Sequence, residues 1–459
     1  MCRAAYAALL SCEKCEDMKK WICIVLVLCV VLSMTGCGKV QTIQEDTVPS
    51  EAPTEESQEP VPEITEPESA PETEPQPEET VAPTEPEVVI PAQEITDGLM
   101  LLVNGQADSA YVTDGKANSY RVLRSTDSVV ISSNTPFAAL YLIWNDRPVE
   151  YTVLFEGGSV QGGQYGFLHE YLSIGQSVTT VTLVFEENSF YSLSELCLYT
   201  EGTPPDDVQV WQPPCELADI LVFPTHSDDD TLFFGALMAY YAIEKQLNVQ
   251  TAFMVHHAAQ PERSHERLNG LWEMGIRNYP ILYNAPDAGI HDFHESMAWY
   301  AGSKIPDWQV EMIRRFKPLV VVGHDLKGEY GNGGHKVNAY YLVRAIEYAA
   351  DPEMYPESAE VYGVWDAPKL YIHLYPENEW YFDVNTPMEN DPQGRTPFEV
   401  AEDAFAHHLS QHKFGFHVMQ DDEQRIYDCR PFGLYRSLVG EDTVADVMDN
   451  IDPAQWRTE

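Results

Sequence analysis

The sequence is short of positive charge. Its 459 residues include 27 Lys and Arg against 73 Asp and Glu, which gives a formal net charge of -46. A protein that binds nucleic acid needs cations to neutralise the phosphates, so this balance excludes nucleic acid as a partner. It also argues against binding to a bare anionic lipid surface.

A second shortage marks one segment near the start of the chain. Residues 41–91 contain no Lys or Arg and almost no apolar side chains, and they consist mostly of Pro, Glu, Thr and Ser. Such a segment cannot bury enough apolar surface to offset the entropy of folding. We therefore expect a disordered linker over residues 38–94, extended because its prolines and like charges favour an open chain.

An apolar run precedes this linker. Residues 21–34 follow a basic start at residues 18–20, and the run is shorter than the roughly 20 residues of a transmembrane helix. It fits a signal peptide. Residues 33–37 (SMTGC) resemble a bacterial lipobox, which implies a lipoprotein signal peptide over residues 1–37, a lipidated Cys37 and Met18 as the true start. An uncleaved signal anchor is the alternative. Either interpretation puts the bulk of the chain outside the cytoplasm, and we expect a lipid anchor to the cell membrane of a bacterium.

Cysteine is scarce in the rest of the chain, where only Cys197, Cys215 and Cys429 follow Cys37. An extracytoplasmic location permits disulfides. A Cys215–Cys429 disulfide and free buried thiols therefore both remain open.

Short β-rich runs with turn signals fill residues 95–203. Examples are residues 128–132, 139–144, 151–155 and 180–185. Runs of this length and spacing are typical of an all-β sandwich. Residues 110–115 (AYVTDG) and 193–199 (LSELCLY) resemble discoidin-type jelly-roll modules. That resemblance implies a domain that either binds glycans or packs against its neighbour.

After a proline-rich boundary, strands and helices alternate. Apolar runs at 220–223, 250–255 and 318–322 predict strands, and helical patterns surround residues 232–240, 265–272 and 336–350. This alternation indicates an α/β fold over residues 215–459, a Rossmann-like, mainly parallel sheet with helices on both faces. No glycine-rich phosphate loop follows the first strand, which argues against a nucleotide site.

A polar stretch directly follows the first of these strands and contains His226, Asp228, Asp229 and Asp230. Open α/β sheets bind ligands at the carboxyl ends of their strands, where such enzymes keep their chemistry. His226 and Asp229 are spaced i and i+3, so both lie on one side if the turn passes into a helix. A catalytic zinc site built on them needs a third protein ligand. An acidic turn that only caps the helix is the alternative.

The third ligand is expected in residues 322–338 (VGHDLKGEYGNGGHKVN), which also follow a predicted strand. Residues 224–230 (PTHSDDD) resemble the Ala-His-Pro-Asp-Asp-Glu signature of the LmbE-like, or PIG-L, N-acetylglucosaminyl deacetylases. The later segment resembles their Gly-Glu-Tyr-Gly-His-x-x-His element, and the resemblance covers most of residues 218–450. It implies that His226, Asp229 and His335 are zinc ligands and that Asp228 is the general base that takes a proton from the attacking water.

Three positions depart from the family pattern. Ser227 replaces its Pro and Asp230 replaces its Glu, and neither position is a ligand in the family. Asn332 stands where the family has the first His of the pair, which helps to stabilise the tetrahedral oxyanion. An amide can donate a hydrogen bond to that oxyanion but cannot act as an acid. Asp228 must then also return the proton to the leaving amine.

Other polar residues have weaker patterns. In an alternative register His335 is the catalytic His and Asn338 is a poor metal ligand. Arg263 matches an Arg of the family and could contact substrate hydroxyls, and His324 could assist; for both, a structural role is the alternative. The histidines of residues 407–417 fit no shared coordination with this site, so we expect them in a helix or a cleft.

Two functional hypotheses follow. The resemblance implies a zinc-dependent hydrolase that removes N-acetyl groups from amino sugars of the GlcNAc type in extracytoplasmic glycans, although another divalent metal could replace zinc. The alternative is a non-catalytic, glycan-binding surface lipoprotein whose metal site is degraded at Asn332. The intact His226, Asp228, Asp229 and His335 favour the enzyme, because a degraded site has no need of a base.

Overall fold

The computed structural model describes residues 90–421 and 423–457, which belong to one compact unit. The predicted signal peptide, Cys37 and most of the predicted linker lie outside these residues. Within the described ranges, no helix combines the length and the apolar character that crossing a membrane requires.

The first part of the chain, here called the β domain, is built from antiparallel strands. They are β1 (Leu99–Val103), β2 (Gln106–Ala107), β3 (Arg121–Arg124), β4 (Val129–Trp144), β5 (Tyr151–Phe155), β6 (Gly158–Gly162), β7 (His169–Phe185) and β8 (Phe190–Tyr199). The long strand β4 pairs with β1, β7 and β8, and β7 also pairs with β5. Trp144, Tyr151 and Leu193 belong to the apolar core between them. The prediction of an all-β region is confirmed.

The folded part begins earlier than predicted. The Ala92 N–H donates to the Thr203 carbonyl at 2.8 Å, and the Thr200 N–H donates to the Gln93 carbonyl at 2.9 Å. Ala92 is buried against Tyr141 and other residues of the β domain. The predicted linker end at residue 94 is therefore wrong, because this short segment has backbone partners and an apolar side chain to bury.

The second part, the α/β domain, is built on a seven-stranded sheet. Its strands are β9 (Ile220–Val222), β10 (Val249–Val255), β11 (Ile281–Ala285), β12 (Val320–Gly323), β13 (Lys369–His373), β14 (Glu379–Tyr381) and β15 (Pro431–Ser437). The order across the sheet is β11-β10-β9-β12-β13-β15-β14. Pairing is parallel from β11 to β13 and antiparallel at β15 and β14. The sheet is thus mainly parallel, with an antiparallel edge that the sequence did not predict.

Helices connect these strands. They are α1 (Asp229–Leu232), α2 (Gly235–Ala239), α3 (Glu262–Glu273), α4 (Phe293–Trp299), α5 (Ile305–Phe316), α6 (Gly333–Ala350), α7 (Pro356–Tyr362), α8 (Pro397–Ala406) and α9 (Pro453–Trp456). The single helix predicted around residues 232–240 is instead α1, α2 and a π-helical segment at Tyr240–Glu244. Ile220 and Val222 belong to one apolar core and Leu221 and Phe223 to another, because successive strand residues face opposite sides. Both faces of the sheet are therefore covered.

Of the two alternatives left open for Cys215 and Cys429, the structure has the free thiols. Cys429 lies in the core that contains Val222, whereas Cys215 packs against the core that contains Leu221. The sheet separates the two cysteines. Burial raises the pKa of each thiol to about 12, so neither is an easily formed thiolate.

Candidate metal centre

The candidate site lies where the strand order changes direction. Strand β9 is flanked by β10 on one side and by β12 on the other, so the connections that leave β9 and β12 diverge. A crevice at the carboxyl ends of the strands is expected at such a point. The turn at residues 224–228 follows β9 and leads into α1, and the loop at residues 324–332 follows β12 and leads into α6.

Three side chains from these two connections converge on one point. His226 Nδ1 lies 3.2 Å from Asp229 Oδ2 and 3.2 Å from His335 Nε2, and the last two atoms are 3.1 Å apart. The backbone N–H of His226 also donates to Asp229 Oδ2 at 2.7 Å, and this hydrogen bond fixes the carboxylate against the turn. The three predicted ligands therefore form a compact, buried triangle of two nitrogens and one oxygen.

This triangle fits a zinc ion. Zinc binds imidazole nitrogen and carboxylate oxygen at about 2.0–2.2 Å, so tetrahedral ligands of this kind lie about 3.3 Å apart. The observed separations of 3.1–3.2 Å are close to that value. His335 Nδ1 is 2.8 Å from Glu329 Oε2, a contact that places the ring proton on Nδ1 and leaves the Nε2 lone pair for a metal.

The electrostatics of the same point favour a cation. Burial alone would lower the pKa of His226, but Asp229 and Asp287 outweigh it and raise the pKa to about 10. Burial would also lower the pKa of His335, but Asp229 and Glu329 outweigh it and raise the pKa to about 9. Burial opposes the charge of Asp229 as well, yet the two histidines hold its pKa well below the usual value. A field that retains a proton at this point also stabilises a metal cation.

Glu329 supports the triangle from behind. It is fully buried and lies 2.8 Å from the Nδ1 atoms of three histidines, His324, His335 and His373. Burial would raise the pKa of Glu329, but these histidines, His324 foremost, hold it well below its usual value. The carboxylate thus fixes the orientation of the His335 ring, as the outer partner of a metal-bound histidine commonly does.

His324 is part of this support. The Thr225 N–H donates to its Nε2 at 2.9 Å, its Nδ1 contacts Glu329, and its ring stacks on His335 with centroids 4.1 Å apart. Its side chain is fully buried. Both ring nitrogens of His324 are thus engaged, which favours the structural role, and an assisting role in catalysis stays a prediction.

Arg263 lies beside the predicted general base. Its Nη2 donates to Asp228 Oδ1 at 2.6 Å, and both side chains are buried. Its first partner is therefore the predicted general base, and contact with substrate hydroxyls stays a prediction. Burial raises the pKa of Asp228, and the Arg263 charge opposes that rise.

A second arginine of α3, Arg267, was not expected here. Its Nη1 donates to Ser227 Oγ at 2.7 Å. This contact gives the departure at position 227 a physical reason, because a proline could not accept that hydrogen bond. Asp230 is fully buried, and burial together with the nearby Asp228 charge raises its pKa well above the usual range. Asp230 is not one of the three residues of the triangle.

Asn332 lies at the start of α6, where its side chain caps the helix. Its Oδ1 accepts from the His335 N–H at 3.2 Å, and its Nδ2 donates to the Tyr330 hydroxyl at 3.4 Å. The Asn338 amide has other partners: its Nδ2 donates to the Phe223 carbonyl and to Thr225 Oγ1 at 3.0 and 2.9 Å. The alternative register, which makes Asn338 a ligand, is therefore not found.

The capping contact leads to a stability prediction. Asn332→Ala should lower the free energy of unfolding by about 1 kcal/mol, because the helix loses its cap. Asn332→Asp should keep most of this stabilisation, because an aspartate side chain can also cap the helix. Chemical denaturation of the metal-free chain measures both values. An alanine variant as stable as the wild type would contradict the capping role.

The predicted histidines of residues 407–417 lie beyond the end of α8. His408 is fully buried, and burial followed by the charge of Arg263 lowers its pKa to about 3. Neither of the potential metal-binding groups found among the described residues includes His407, His408, His412 or His417.

The chain is similar to curated sugar deacetylases. It is 27% identical over 215 residues to 1D-myo-inositol 2-acetamido-2-deoxy-alpha-D-glucopyranoside deacetylase 1 of Catenulispora acidiphila, a match that covers 40% of this chain and 64% of that protein. It is 29% identical over 178 residues to the corresponding deacetylase 2 of Saccharopolyspora erythraea, covering 33% of this chain and 64% of that protein. The matched region thus spans just under two thirds of the length of each relative.

No protein-family model matches the chain. Among solved structures, it is similar to N,N'-diacetylchitobiose deacetylase from Pyrococcus horikoshii, with a TM-score of 0.32 and 13% identity. That match covers 42% of this chain and 71% of the other.

Proposed function

We propose that this protein is a zinc-dependent hydrolase that removes the acetyl group from N-acetylated amino sugars of the GlcNAc type in extracytoplasmic glycans. The observation that carries the proposal is the triangle of His226, Asp229 and His335, with the buried Asp228–Arg263 pair beside it. The named curated relatives are deacetylases of a 2-acetamido-2-deoxy-glucopyranoside, which supports the choice of bond and sugar.

In the proposed reaction, water attacks the acetyl carbonyl carbon and the C–N bond breaks, which yields acetate and a free amine. A zinc ion held by the triangle would polarise the carbonyl and lower the pKa of the attacking water. Asp228 accepts the water proton on its carboxylate. Arg263 holds that carboxylate in place through the 2.6 Å contact between Nη2 and Oδ1.

Asn332 acts as a hydrogen-bond donor to the oxyanion. Its Nδ2 carries two N–H groups, of which one donates to the Tyr330 hydroxyl at 3.4 Å, and in the proposed reaction the second donates to the oxyanion. Because an amide cannot supply a proton, Asp228 must return the proton to the leaving amine. One carboxylate thus acts first as the base and then as the acid.

The proposed location rests on the sequence alone. A lipid anchor at Cys37 and a linker rich in Pro, Glu and Thr would hold the folded unit outside the cell membrane of a bacterium. Glycans of the cell surface are the N-acetylated polymers accessible from there.

The metal content is the first experimental check. After removal of loosely bound metal, the wild-type chain should retain about one zinc ion, because three protein ligands form one site. His226→Ala should lose it, since a ligand of the triangle is removed, whereas His417→Ala, at an exposed histidine, should not. Metal analysis by mass spectrometry measures each ratio. A wild-type chain without zinc, or a His226→Ala variant that retains zinc, would contradict the proposed metal site.

A further inference from the structure

A large cavity lies between the β domain and the α/β domain. Its volume is about 760 Å³, and residues of both domains line it. The β domain contributes residues 145–147 and 164–168, and the α/β domain contributes residues 256–258 and 279–284. A volume of this size is within the range of ligand-binding pockets.

His257 belongs to the lining of the cavity and also contacts the turn that carries His226. The Ser227 N–H donates to His257 Nε2 at 3.4 Å, and the His257 and His226 rings have centroids 6.1 Å apart. Asp287 lies beside both rings, 3.6 Å from His226 Nε2 and 3.9 Å from His257 Nδ1. One imidazole ring therefore separates the cavity from the triangle.

The β-domain residues that line the cavity, here called the wall, are held in position by specific contacts. His169 Nε2 lies 2.9 Å from His265 Nδ1, and both rings are buried and stacked. The Leu168 N–H donates to the Tyr279 hydroxyl at 3.1 Å. Because these contacts join strand β7 and its preceding loop to the α/β domain, the wall is a fixed part of the cavity.

The chemistry of the wall suits a sugar ring. Tyr165 is 51% exposed and stacks on Phe167 with centroids 5.3 Å apart, and Phe167 stacks in turn on Tyr279 at 4.6 Å. Tyr165 thus presents a supported aromatic face at the cavity. Arg267 and Asn284 also belong to the lining, and the exposed Asn284 offers an amide group to hydroxyls. Large aromatic surfaces with a few placed polar groups are typical of sites for such amphipathic ligands.

We propose that this cavity is a subsite for the sugar next to the N-acetylated ring, so that the substrate is an oligosaccharide chain rather than a single amino sugar. The proposal rests on the proposed function, because it assumes that the ring to be deacetylated lies at the metal triangle. It assigns the β domain a direct part in substrate binding through Tyr165.

Binding of N-acetylchitotetraose and N-acetylglucosamine to the full, zinc-loaded chain tests this proposal. Calorimetry on Asp228→Asn, in which turnover is suppressed, compares the added change Tyr165→Ala with the added change Tyr111→Ala. Tyr111 is an exposed tyrosine of the β domain that does not line the cavity. We expect Tyr165→Ala to weaken tetrasaccharide binding about tenfold, with a smaller effect on the monosaccharide, because one stacking face is lost. Tyr111→Ala should change neither value.

Equal tetrasaccharide affinities in the two double variants would overturn the subsite, and so would the absence of tetrasaccharide binding. Amine release by the wild-type chain is measured separately. Tyr165-dependent binding without any amine release would contradict the proposed function while leaving the binding site in place, so the two failures are distinguishable.

Discussion

Asp228→Asn should lower kcat for amine release from N-acetylchitotetraose by about 10³-fold, within the range that general acid–base catalysis contributes. The amide cannot accept the water proton and cannot return one to the leaving amine. Asn332 offers no acidic group to replace it. Zinc should stay bound, because Asp228 is not one of the three residues that form the triangle.

The neighbouring residue supplies the control. Asp230 is fully buried, and burial together with the nearby Asp228 charge raises its pKa well above the usual range. Asp230→Asn replaces the carboxyl group with an amide of similar size and should leave kcat close to the wild-type value, because Asp230 belongs neither to the triangle nor to the Asp228–Arg263 pair. A fluorogenic amine assay measures both variants. Equal rates for Asp228→Asn and the wild type would show that Asp228 is not the base.

Glu329→Ala should destabilise the metal-free chain by about 3–5 kcal/mol, the usual cost of removing one partner of a buried charged network. Three histidine Nδ1 atoms at 2.8 Å would lose their shared acceptor. Glu329→Gln keeps the size of the side chain but not its charge, and its effect on stability should be smaller. Chemical denaturation measures both variants.

The Glu329→Gln variant also tests the metal site. In Glu329→Gln the ring of His335 loses its charged partner, so zinc affinity should fall about 10–100-fold, as for other outer partners of metal ligands. Competition with a chelator measures that affinity, and Glu389→Gln, at an exposed position, is the matched control. A Glu329→Gln variant with unchanged zinc affinity would mean that Glu329 does not orient the ligand.

The convergence of His226, Asp229 and His335 could be predicted from the sequence. Both polar segments follow short apolar runs, and the carboxyl ends of parallel strands meet at one edge of a sheet. Strands β9 and β12 are direct neighbours, with Ile220 opposite Val320, so the two segments had to meet. The spacing of His226 and Asp229 was also informative, because it matches one side of the turn into α1.

The support behind the triangle could not be predicted in the same way. His373 reaches Glu329 from strand β13, 44 positions along the chain, and no local pattern links the two residues. Arg263 carries a sequence signal, but only the packing of α3 shows that its partner is Asp228. Pairings of this kind depend on how elements pack, and the sequence period of a single element does not contain that information.

The central claim is that the triangle, Asp228 and Asn332 together form a working hydrolytic site. The most direct test is amine release from N-acetylchitotetraose by the wild-type chain that carries one bound zinc ion. The account predicts release of amine and acetate in equal amounts, abolished when zinc is removed and restored when it is returned. A zinc-loaded chain that binds the tetrasaccharide but releases no amine would contradict the account and favour a glycan-binding protein whose site is inactive at Asn332.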